Sequence, residues 1–80
     1  MTERLKFMGR LRENELQADS LRLKISALLT AMRDNLDPFE AVIDLGLDKV
    51  AAQALEAAEL QLQLREVLAE IEAIKKALGK

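Results

Sequence analysis

The sequence contains no cysteine, histidine, tryptophan or tyrosine, and only two aromatic residues, Phe7 and Phe39. Without cysteine there is no disulfide to staple a small fold and no thiolate to act as nucleophile. Without histidine there is no imidazole ligand and no base that titrates near neutral pH. Proline occurs once, at position 38, and glycine three times, at 9, 46 and 79. Chain-breaking residues are therefore confined to the middle and the two ends. No apolar run approaches the twenty or so residues that span a bilayer, and Ile25 to Met32 is the longest uncharged stretch of the first half. The opening residues, Met1-Thr2-Glu3-Arg4-Leu5-Lys6, lack the apolar segment of a secretory signal. The expectation is a soluble, cytoplasmic protein.

What remains is strongly biased. Leu (16), Ala (12), Glu (9), Lys (6) and Arg (6) together make 49 of the 80 residues. That composition belongs to long helices and coiled coils rather than to mixed globular folds. A single chain of 8.9 kDa buries little apolar surface by itself and usually needs a disulfide, a metal or a partner. With the first two disfavoured by composition, self-association is the expected solution.

Apolar residues recur at sevens in both halves. Leu11, Ala18, Ile25 and Met32 form one row, and Phe7, Asn14, Leu21 and Leu28 a second row offset by three. In the other half, Val50, Ala57, Leu64, Ile71 and Leu78 are answered by Gln53, Leu60, Val67 and Ile74, with Leu68 widening the stripe. These are the a and d positions of a heptad. They predict an all-α antiparallel two-helix coiled-coil hairpin, with helices over about 3–34 and 49–78. Thr2 is the expected N-cap of the first helix, and Lys75, Lys76 and Gly79 mark the end of the second. Folded back, the helices pair residues whose numbers sum to about 82. Ile25 then lies level with Ala57, Ala18 with Leu64, and Leu11 with Ile71.

The connector, 35–48, carries the signature of a capped short helix. Asp37 supplies a capping side chain, Pro38 the first helical position and Glu40 the third, predicting a helix over 38–45 ended by Gly46. Leu47 and Asp48 are the expected N′ and N-cap residues of the following helix. Phe39, Val42, Ile43, Leu45 and Leu47 supply apolar surface enough to cover the end of the hairpin. Alternatively, Phe39, Val42 and Ile43 anchor a protein partner.

Four leucines fall outside the a/d seam. Leu16 and Leu23 in the first helix, and Leu55 and Leu62 in the second, occupy the outward f position, where polar residues belong in a hairpin surrounded by water. Ala27, Ala58 and Ala69 lie beside them. Scattered exposed leucines are common on soluble proteins. A second seam joining two hairpins into a homodimeric four-helix bundle is the reading favoured here. Asn14, Gln53 and Gln61 lie in or beside the seam, where polar residues fix register or remain solvated at its edges.

Charge is segregated along the chain. Residues 1–33 carry seven basic and four acidic side chains, residues 34–48 carry five acidic and no basic ones, and residues 49–80 carry five of each. The hairpin is thus basic at its open end, through Arg4, Lys6, Arg10, Arg12, Lys75, Lys76 and Lys80, and acidic at its turn. The basic end is a candidate for nucleic-acid contact. Neighbouring Glu3, Glu13, Glu70 and Glu72, and the overall charge of −2, weigh against that role. The spacing of Asp34, Asp37, Asp44 and Asp48 does not match a calcium loop, so no metal or cofactor is expected. Ser20, Ser26, Thr2 and Thr30 have no activating partner, which leaves enzymatic chemistry unsupported.

The segment Asn35-Leu36-Asp37-Pro38-Phe39, together with the helix ending Glu70-Ile71-Glu72-Ala73-Ile74-Lys75-Lys76-Ala77-Leu78, resembles small uncharacterised hairpin proteins of bacterial genomes and Mu-like prophages. The resemblance covers the turn and the second helix. It implies a bacterial or phage accessory protein and assigns no catalytic or binding residue.

Overall fold

In the computed structural model, which describes residues 2–79, two long helices form an antiparallel hairpin. Helix α1 runs Thr2–Asn35 and α2 runs Leu47–Ala77. The molecule measures 63 × 16 × 14 Å, so it is one hairpin long and two helices across. The N-cap expected of Thr2 and the basic Lys80 lie outside the described side chains.

The seam forms as the heptads predict. Every a and d position named above is buried or half-buried. Asn35 extends the d row by one heptad, and its Nδ2 donates to Gln53 Oε1 at 3.2 Å across the turn end. Gln53 therefore holds register rather than fraying at an edge. The α2 end also forms as expected. Gly79 adopts φ +76°, and its N–H donates to Lys76 O at 3.1 Å, the inner bond of a Schellman-type stop.

Burial is uneven along the seam. The core consists of Leu11, Ala18, Leu21, Val67, Ile71, Ile74 and Leu78, all toward the open end, with Phe7, Leu60 and Leu64 packed against it. Between residues 22 and 66 nothing is buried. The cause lies in α2, which presents Ala54, Ala57 and Ala58 to this half of the seam. These methyl groups are too short to cover Ile25, Leu28 and Met32 opposite, whereas Val67, Ile71 and Ile74 close over Leu11 and Leu21.

The connector differs from expectation. No α-helix forms over 38–45; a turn at Pro38–Phe39 is followed by one turn of 3-10 helix, Val42–Asp44. Asp37 does cap, since its Oδ1 accepts from Phe39 N at 2.9 Å, and Glu40 N donates to Asp37 O at 3.2 Å. Those bonds close a β-turn with proline at its second position instead of starting a helix. Nucleating a helix is costly, and an eight-residue segment needs a packed face to sustain it. This segment has none: Phe39 is 95% exposed and Ile43 91%. Phe39, Val42 and Ile43 therefore do not cover the end of the hairpin, and of the five apolar connector residues only Leu45 is half-buried. Helix α2 also starts earlier than predicted. Gly46 is its N-cap, with no side-chain capping bond, and Leu47 and Asp48 lie in its first turn, where the Asp48 carboxylate suits the helix dipole.

Candidate functional site: the uncovered apolar surface

Among the described residues thirteen large hydrophobics are exposed, and nine of them fall from Leu23 to Leu62, around the turn half that lacks buried residues. Leu16, Leu23, Leu55 and Leu62 are all among the thirteen, each more than half exposed. They do not converge on one surface. As f residues, each pair lies on the side of its helix that faces away from the other helix. Leu16 and Leu23 back α1, whereas Leu55 and Leu62 back α2, with the full width of the hairpin between them.

A different row brings apolar side chains together. One flank of the hairpin carries the e positions of both helices: Met8, Leu29 and Leu36 from α1 and its end, and Leu47, Ala54 and Leu68 from α2. Of these, only Leu68 stands out from the heptad pattern as a widening of the stripe. The signal was present in the heptads, but Glu15, Arg22, Gln61 and Lys75 interrupt the row and hide it. In the turn half this flank opens into an apolar groove of about 310 Å³. Ile25, Leu29 and Met32 form one wall, and Ala54, Ala57, Ala58 and Gln61 form the other. Ile25 and Ala57 thus line the same groove from opposite helices.

Toward the open end the same flank becomes polar. A hollow of about 220 Å³ is lined by Arg12, Glu15, Asp19, Arg22 and Lys75 above Leu68 and Ile71. Arg22 Nη1 lies 3.3 Å from Asp19 Oδ1. On the opposite flank Arg10 donates to Glu70, and this contact holds the Glu70 carboxyl below its ordinary pKa, with the Asn14 amide adding to the effect. Asn14 Nδ2 is buried and makes no hydrogen bond of normal geometry.

The remaining candidates are scattered. Arg4, Lys6, Arg10, Arg12 and Lys76 are exposed and Lys75 is half-buried, but Arg10 is already engaged by Glu70. Phe39, Val42 and Ile43 project from the connector at 79% exposure or more. Among the described residues no three acidic side chains stand close enough to hold a metal ion, and no helix is long and apolar enough to cross a membrane. No family model, no curated protein and no solved structure matches this chain.

Proposed function

We propose that the chain is a non-enzymatic protein-interaction module, a small self-associating accessory protein of the cytoplasm. The observation that carries this reading is the concentration of exposed apolar side chains around a turn half with nothing buried. Contiguous apolar surface on a soluble chain marks a place where another surface sits. The seam supports the same conclusion, since a core of seven side chains is small for an independent fold. Leu16, Leu23, Leu55, Leu62 and the e-row groove are the surfaces available for such contacts.

Nucleic-acid contact is the weaker reading. Arg10 is committed to Glu70, and the open end offers no aromatic side chain on which a base could stack except half-buried Phe7.

Sedimentation equilibrium from low to high micromolar concentration tests the proposal. The expected result is reversible association above the 8.9 kDa chain mass. A monomer throughout would overturn it. A gel shift at low salt separates the alternative, which requires binding that weakens steeply as salt rises.

A further inference from the structure

Resting on that reading, we infer that the occupant of the e-row groove is a second copy of this chain, packed flank to flank with its turn pointing the opposite way. The interface is the flank bearing Leu29 and Ala58, and not the backs of the helices bearing Leu16 and Leu23.

Geometry selects the flank. When two hairpins form a four-helix bundle, each helix meets its own mate through a and d and its new neighbour through an adjacent row. The f residues point outward from such a bundle, so one interface cannot bury both leucine pairs. The e row is adjacent to the seam and is apolar in the turn half. The groove's small residues Ala54 and Ala58 let two α2 helices approach closely, while Leu29 and Met32 on its other wall fill the wider gap between two α1 helices.

Charge selects both the partner and its direction. Two copies packed with their turns together would lay one −5 segment, residues 34–48, against another that also contains no cation. Reversing one copy removes that repulsion. A two-fold axis through the groove, near Leu28 and Ala54, sets each acidic turn beside the other copy's polar half. There the same flank presents Arg12, Arg22, Arg65 and Lys75, with Glu15, Asp19 and Glu72 as the acidic groups among them. Arg65 stands one heptad beyond the groove residue Ala58. The area is also adequate. About that axis the helices overlap by about 21 Å, and the connector beyond Asn35 extends the overlap to about 40 Å in a molecule 63 Å long and 16 Å wide, which projects to about 650 Å² beside the ~800 Å² per partner of a stable interface.

Two measurements on the full chain test the inference. Leu29→Glu with Ala58→Glu puts charge on both walls of the groove at exposed positions, so each hairpin remains helical by circular dichroism. The dimer dissociation constant should rise about a hundredfold or more, whereas Leu16→Ser with Leu23→Ser should change it by less than about threefold. The chain has no cysteine, so Glu40→Cys carries a single spin label. Labels in the two copies should lie about 30 Å or more apart, and side-by-side turns would bring them within about 20 Å. Dissociation by the Leu16/Leu23 pair but not by the Leu29/Ala58 pair overturns the groove and leaves self-association standing. A short label distance overturns the reversed direction. A wild-type monomer at every concentration overturns both this inference and the reading beneath it.

Discussion

Arg10 and Glu70, sixty residues apart in sequence, form an ion pair that ties the first third of α1 to the last third of α2. The Arg10 hydrogen bond is the main cause of the lowered Glu70 pKa, and the Asn14 amide is the next. A carboxyl whose pKa is depressed by folding stabilises the fold above its unfolded pKa and loses that contribution as pH falls through the folded value. The hairpin should therefore weaken on acidification, and Glu70→Gln should flatten that part of the acid limb. Both side chains are roughly half exposed, so the effect is small and screened by salt. Thermal melts of wild type and Glu70→Gln across the carboxylate range, at low and high salt, check this. An unchanged acid slope in the variant would exclude a role for the pair.

Asn14 presents a second, opposite case. It occupies a d position beside the core, and its Nδ2 is buried without a partner. An unsatisfied buried donor costs about 1–3 kcal/mol, and an apolar side chain of similar volume removes that cost. Asn14→Leu should accordingly raise stability by about 1–2 kcal/mol in denaturant titrations. It should also loosen the control of register that a single polar seam residue exerts. A fall in stability would show that the amide is satisfied in solution.

The core predicts where truncation hurts. Ile74, 3% exposed at the centre of the open-half cluster, should cost about 2–4 kcal/mol when changed to alanine. That loss should be the same at every protein concentration, since Ile74 packs within its own hairpin. Leu29→Ala should instead cost stability that grows with concentration, because Leu29 is 55% exposed in the single hairpin and gains contacts only from a partner. Melts over a range of concentrations distinguish the two patterns, and a concentration-independent Leu29→Ala would remove Leu29 from the interface.

Glycine substitutions should act with opposite signs at the two ends. A Cβ added at Gly9, within α1, meets nothing within 4 Å, so Gly9→Ala should stabilise by about 0.5–1 kcal/mol through helix propensity. Gly79 sits at φ +76°, where a side chain is strained, and Gly79→Ala should cost up to about 1 kcal/mol. Paired melts of the two variants check the signs. Stabilisation by Gly79→Ala would mean that the left-handed stop is not maintained.

Much of this fold was legible because a heptad is a strict code. Leu11 and Ile71, like Ile25 and Ala57, are assigned to the seam by spacing alone, and all four are buried or half-buried. The connector was not legible for a physical reason. Asp37-Pro38-x-Glu40 is a valid helix start and an equally valid β-turn, and only the absence of a surface beneath Phe39 and Ile43 decides between them. The candidate site was half legible. Leu16, Leu23, Leu55 and Leu62 do stand out as unexplained leucines, but sequence offset alone does not show that f residues of two paired helices face apart. The groove depends on side-chain length: Ala54, Ala57 and Ala58 count as apolar seam neighbours in a pattern, yet they leave Ile25, Leu29 and Met32 uncovered.

The connector supplies the last prediction. If Phe39, Val42 and Ile43 covered the hairpin end, replacing them would expose core and destabilise the chain by several kcal/mol. At 79–95% exposure they cover nothing, so Phe39→Ser with Ile43→Ser should leave stability within about 0.5 kcal/mol of wild type. The turn itself depends on Asp37, whose Oδ1 accepts from Phe39 N, so Asp37→Ala should cost more than the loss of both apolar residues. The cap is exposed and local, which limits that cost to about 0.5–2 kcal/mol. Urea titrations of the three variants at one low concentration check this order. A double serine variant less stable than Asp37→Ala would show that the connector folds onto the hairpin in solution, and Phe39 and Ile43 would then be core residues rather than free anchors.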